Sequence, residues 1–187
     1  MAGNILLGLG ISLMSRAQLG SDAVVAFSEV CSGKIGITMG QMTTLINICL
    51  FITILIVWRK NIGIATAIVA FLNQYPIDFF NAMLSHSDSF FINVLMCLLG
   101  ILITAAGAAV IIETKLGMGI YEAFMYSFVY RFHFRFVYVK YVVDGFFLII
   151  TLILRGPIGL GTLLSYFLTG IFIEFFTPYA GKIMRLE

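Results

Sequence analysis

The sequence predicts an all-α, polytopic membrane protein: about six transmembrane helices, arranged as two inverted three-helix repeats with short re-entrant or amphipathic segments. Three observations predict it. The 187 residues are 61% hydrophobic and only 11% charged, with a mean hydropathy of +1.07, whereas a soluble domain is about half apolar and about a quarter charged. A soluble fold of this size still leaves about 30% of its chain surface wet, too much to hide such a composition from water. Five apolar runs, 40–58, 62–84, 90–112, 136–154 and 158–179, approach or exceed the ~20 residues that cross a bilayer as helix. Finally, the chain repeats itself. IGIATAIVAFLNQYPIDFF at 62–80 and IGLGTLLSYFLTGIFIEFF at 158–176 share eight of nineteen positions, where unrelated apolar segments would share ~2.

The first element is the stretch Ala2–Ser15, short for a span. It has no Lys or Arg before its apolar run, so it is not a signal peptide. At a spacing of 97, Gly3, Gly10, Leu19 and Gly20 fall on Gly100, Gly107, Leu116 and Gly117. It therefore reads as a short counterpart of the helix at 90–112, lacking a turn or two at its start. The duplication makes residues 1–84 one membrane repeat and 85–187 the other. Both first helices are small-faced, with Gly3, Gly8, Gly10 and Ser12 in one and TAAGAA at 104–109 in the other. Small residues let membrane helices approach closely, so these two are expected to cross at the centre.

A glycine break follows each first helix: RAQLGSDAVVAF in one half and ETKLGMGIYEAF in the other. The next stretches, Asp22–Cys31 and Ile120–Phe132, are too short to span and mix apolar with charged positions, which suits a re-entrant or interfacial segment. Two spans complete each half. In the helix at 62–84, Pro76 removes a backbone hydrogen bond and predicts a kink, with a bend at the same level expected at its repeat mate Phe172.

Three spans per half make the halves cross in opposite senses. Six spans place Arg59, Lys60, Lys115, Arg131, Arg135, Lys140, Lys182 and Arg185 on the side where the chain starts, against Arg16, Lys34 and Arg155 on the other. Eight to three gives both termini cytoplasmic by the positive-inside rule. The run YRFHFRFVYVK at 130–140 fits the same side as an interface belt of aromatic and basic residues rather than a nucleic-acid site.

The Leu19-Gly20 and Leu116-Gly117 breaks, the turn Ile158-Gly159-Leu160-Gly161-Thr162 and the chain length together resemble the YitT/YczE family of small bacterial integral membrane proteins. In that family a proline and then an acid follow the break. Here the proline positions hold Ala23 and Ile120, and the acid positions hold Val25 and Glu122. A role tied to that acid thus falls on Glu122 alone. The resemblance implies residence in the bacterial plasma (inner) membrane and names no solute.

Ionisable residues in lipid are costly and point to function. Asp78 and Glu174 are repeat mates about 16 residues, or ~24 Å, along their helices. That depth puts them at opposite mouths as gate or cation-attracting carboxylates; the bland alternative is an acid near a helix end, reaching water. Asn47 and Asp144 are also mates, both near mid-depth, where a central polar site or proton relay would lie. Their bland alternative pairs Asp144 with Lys140 at i, i+4 and lets Asn47 bond a neighbouring helix. Arg16 and Glu113, mates of opposite sign, could bridge across the pseudo-symmetry axis. The three cysteines lie far apart, His133 stands alone, and no nucleophile sits beside a His. Neither a metal, another cofactor nor an enzyme is expected.

Inverted repeats with broken helices are the architecture of many secondary transporters. The leading expectation is a small-solute or ion transporter, proton- or cation-coupled. The alternative is a non-transporting accessory or scaffold protein that binds a membrane partner. The expected partners are the bilayer, an unidentified small solute or ion, and a second copy or membrane partner, with no nucleic acid.

Overall fold

The computed structural model describes residues 2–57, 74–85, 87–113, 119–156 and 158–184. Among them lie eight helices: α1 Ala2–Arg16, α2 Ala23–Ile35, α3 Met39–Val57, α4 Gln74–Met83, α5 Phe90–Glu113, α6 Ile120–Phe132, α7 Phe136–Ile153 and α8 Leu160–Met184. The start of the span expected at 62–84, the Leu116-Gly117 break and the charges Arg59, Lys60, Lys115 and Arg185 lie outside the described residues, as does any kink on the N-terminal side of Pro76.

Local chemistry sets the ends of these helices. Gly20, at φ +94, turns the chain between α1 and α2. The α2 helix closes at Gly36 in the left-handed region, its N–H donating to the Ser32 carbonyl at 2.8 Å. Thr38 and Gln41 exchange reciprocal bonds of 3.0 and 3.2 Å at the start of α3, a capping box.

Among the described residues, three helices are long and apolar enough to cross a membrane: Phe90–Glu113, Phe136–Ile153 and Leu160–Lys182. A fourth crossing results if α2 and α3, bent by 114° at their junction, count as one broken span. The short amphipathic stretch expected at Asp22–Cys31 is thus a helix reaching Ile35. The stretch at Ile120–Phe132 has the expected bounds. The α8 helix runs through Phe172 without interruption and carries Pro178 inside it.

The centre of the bundle is the crossing of α1 and α5, built on glycine. A Cβ on Gly10 would come 2.8 Å from the Gly100 carbonyl, and one on Gly100 would come 2.8 Å from that of Gly10. Gly3 and Gly107 face each other in the same way, at 3.1 and 2.9 Å. Residue numbers rise along one helix as they fall along the other, so the pair is antiparallel. Arg16 and Glu113 therefore sit at opposite ends and form no bridge. The Arg16 guanidinium instead donates to the Asn81 carbonyl on α4, and Glu113 lies against Gly181 of α8.

Around this crossing α1 packs on α4, and α5 packs on α8. The α2 helix lies against α3, α7 and α8, α6 lies against α7 and α3, and α3–α4 and α7–α8 are also packed pairs. The α7 helix shows which solvent it expects. Its outward face is Tyr138, Val142, Phe146, Ile149 and Ile153, while Lys140, Asp144 and Thr151 point inward with Phe136 and Phe147. Apolar outside and polar inside is the pattern of a helix surrounded by lipid.

Candidate functional site: a buried ion-pair cluster

The polar residues turned inward converge beside the break between α1 and α2. Lys140 Nζ donates to Asp144 Oδ2 at 2.5 Å and lies 3.6 Å from Asp22 Oδ2. The Tyr121 hydroxyl, from α6, donates to the other Asp144 oxygen. Its ring centre is 5.7 Å from the ammonium, a cation–π contact. Ser165 Oγ, from α8, donates to Asp22 Oδ1 at 3.3 Å. Lys140 and Asp144 are 1% and 0% exposed.

Each member is held there for a local reason. Lys140 and Asp144 are four residues apart on α7, so they share one helical face. The Lys140 stem crosses α8 at Gly170, where an added Cβ would meet its Cδ at 3.3 Å. Asp22 stands at the N-cap of α2 but makes no side-chain cap there. Its carboxylate reaches Lys140 instead, beside the positive end of the α2 dipole. The preceding Leu19-Gly20 pair is clamped onto the glycine turn before α8: Gly161 N–H donates to the Leu19 carbonyl at 2.7 Å. A Cβ on Gly159 would strike that same carbonyl. Both tight turns singled out in the sequence therefore serve one purpose, to seat Asp22 next to α7.

The charges do not balance. One ammonium sits between two carboxylates within 4 Å, and Glu122, buried in the first turn of α6 and folded against Gly119, adds a third acid within Coulomb range of Lys140. Unpaired charge is costly in a low-dielectric interior. Such a cluster can take up a proton at one carboxylate while another still neutralises Lys140.

The expected site residues separate. Asp144 is at the heart of the cluster and Glu122 at its edge. Asn47, the repeat mate of Asp144, is half-buried on α3 and is not among the partners of Lys140. Asp78 is exposed on α4, its carboxylate 2.8 Å from where a Cβ on Gly40 would stand, at the N-terminal turn of α3. Glu174 forms an ion pair with Arg135 at 2.7 Å, and the Arg135 side chain is 69% exposed. That carboxylate also raises the Arg135 pKa. Among the described residues, no group of three or more His, Cys, Asp or Glu could hold a metal ion.

The charge count places Lys140 with the loop cations, beside a span end, whereas the structure makes it the buried centre of the site, which leaves the side-to-side count at seven to three. Asp22, Tyr121 and Ser165 carried no signal of their own, since their partners lie 118, 23 and 143 residues away.

The chain matches the family of unknown function DUF6198 over residues 1–178. It is 28% identical over 183 residues to the uncharacterized protein YyaS of Bacillus subtilis, covering 96% of this chain and 91% of that one. It is 26% identical over 185 residues to the uncharacterized membrane protein YczE of the same organism, covering 98% and 86%. An uncharacterized protein of Haemophilus influenzae is 24% identical over 184 residues, covering 97% and 83%. The YczE match bears out the resemblance read from the glycine breaks. No solved structure matches the chain.

Proposed function

The chain belongs to the DUF6198 family, and from that premise we propose that it is a small inverted-repeat transporter of the bacterial plasma membrane, proton-coupled through the Asp22–Lys140–Asp144 cluster. The observation that carries this is the charge excess: a buried cation shared by carboxylates from two distant parts of the chain, one at a helix break and one in a membrane span. Protonation at one carboxylate of the cluster weakens its hold on Lys140 while the other keeps the ammonium paired, and Asp22 ties that exchange to the α1–α2 break. Proton occupancy and helix packing are thereby linked.

The duplication supports the same architecture. Under exchange of halves α1 maps to α5, α2 to α6, α3 to α7 and α4 to α8. The α1–α5 crossing then maps onto itself, α1–α4 onto α5–α8, α2–α7 onto α6–α3, α2–α3 onto α6–α7, and α3–α4 onto α7–α8. The contact of Gly3 with Gly107 becomes that of Gly100 with Gly10. Six spans with both termini cytoplasmic agree with the charge count.

Proteoliposomes enclosing a pH-sensitive dye test the reading, with a low-molecular-weight extract of bacterial cells as the solute pool. Wild-type protein should acidify the lumen when the pool is added under an inward proton gradient, and Asp22→Asn should not. A folded wild-type protein that moves no protons with any fraction, yet retains a membrane partner on purification, would instead favour an accessory role.

A further inference from the structure

The α1–α2 break, which carries Asp22 to the ion pair, also borders a second polar feature, open to the surface. A cavity of about 540 Å³ is lined by Ser15, Arg16, Gln18, Ser21, Glu29 and Asn81, a size within the usual range for small-molecule sites. Two of its lining groups are buried without a hydrogen-bond partner: Ser21 Oγ, in a residue 2% exposed, and Asn81 Oδ1. Buried polar atoms are ordinarily paired, so two unpaired atoms among the residues that line one cavity mark its wall as polar. The wall is also fixed in place. Arg16 is anchored by donation to the Asn81 carbonyl, and the positive φ values of Gln18 and Gly20 turn the chain around the cavity.

The chemistry of the wall selects the ligand. Arg16 and the Ser15 and Ser21 hydroxyls supply donors, one of them cationic, for a carboxylate. Glu29 and the orphan Asn81 oxygen supply acceptors, one of them anionic, for an ammonium. A simple anion would be left facing Glu29, and a simple cation would be left facing Arg16. We propose that this cavity binds a small zwitterion carrying a carboxylate and a protonated amine, of the α-amino-acid class. Ser21 touches the cavity and the next residue, Asp22, touches Lys140, so a ligand here would bear on the segment that enters the ion-pair cluster. The site goes beyond the transport reading and does not depend on it, because binding is measured without any flux.

The test uses the purified full chain in detergent and follows its thermal unfolding midpoint. The probes are each of the common L-amino acids, with propionate and n-propylamine as the single-charge halves. At least one amino acid should raise the midpoint in a saturable way, and neither half should match it. A charge-assisted contact is lost in Glu29→Gln, so affinity should fall about tenfold or more. Ser21→Ala should weaken binding too, while its unliganded midpoint stays near that of the wild type. If Glu29→Gln does not fold, Ser21→Ala and the wild-type probe series still decide. The proposal is overturned if no amino acid shifts the wild-type midpoint, if propionate alone reproduces the full shift, or if both folded variants bind as the wild type does.

Discussion

Lys140 and Asp144 stand 2.5 Å apart, one helical turn along α7, with side chains 2% and 0% exposed. A pair so placed is stable as a pair and expensive to break. The desolvation of each charge is offset only by the other and by the bonds around it, here Asp22 and the Tyr121 hydroxyl.

Removing one partner should therefore destabilise more than removing both. Asp144→Asn takes from Lys140 its nearest carboxylate, and Lys140→Met leaves the acids unpaired. Each should cost about 3–5 kcal/mol. The double variant Lys140→Met/Asp144→Leu should cost less than Lys140→Met alone, because it leaves one carboxylate, Asp22, without its cation where the single variant leaves two. Chemical unfolding in detergent, analysed as a double-mutant cycle, reads the coupling. Additive losses would mean that the two side chains do not act as a unit.

Arg135 and Glu174 give the opposite expectation at a similar distance. Their 2.7 Å contact lies where Arg135 is mostly exposed, so solvent and salt screen it. Glu174→Gln should leave the unfolding midpoint unchanged within error, and raised salt should not distinguish it from the wild type. A large loss would show that Glu174 does more than meet a surface cation, and would revive its role at a membrane mouth.

The contrast between these two pairs marks what the sequence could reveal. Helix positions followed from apolar runs and glycine breaks, because lipid forces every backbone polar group into helix. The close α1–α5 crossing followed from Gly3, Gly10, Gly100 and Gly107, because small residues have few other uses in a membrane helix. The link between Asp144 and Lys140 was legible as an i, i+4 spacing. Asp22 was not, since its approach to Lys140 depends on how Leu19-Gly20 seats against Gly159 and Gly161. No periodicity encodes a contact between a break and a turn so far apart in the chain. Arg16 was legible as a charge but not as a cavity wall, which α4 creates by bringing Asn81 beside it.

The glycine crossing makes a graded prediction. Gly100→Ala forces a Cβ to 2.6 Å from Met14 Cγ and 2.8 Å from the Gly10 carbonyl. The side chain can move but the backbone cannot, so the change should cost ~1–3 kcal/mol. Gly33→Ala, on the exposed part of α2 with nothing within 4 Å of the new atom, should be neutral or gain up to ~1 kcal/mol from helix propensity. Unfolding midpoints of the two variants rank the effects directly, and equal outcomes would mean that α1 and α5 are not in close contact.

Sidedness discriminates most sharply between architectures, and Lys34 and Arg131 are the residues to use. They are repeat mates at the ends of α2 and α6, and both are exposed. The native thiols must first be replaced: Cys97 is buried, but Cys49 is exposed and Cys31 half-buried. With single cysteines at the two positions, an impermeant thiol reagent should label Lys34→Cys in intact cells and Arg131→Cys only after the membrane is opened. That outcome requires an odd number of crossings between them, as inverted halves demand. Labelling of both from one side would make the halves parallel. The antiparallel α1–α5 crossing would then relate helices that enter the membrane from the same face, which straight spanning helices cannot do. Either the crossing or the span count would have to be abandoned, and with it the proposal of a transporter coupled through Asp22, Lys140 and Asp144.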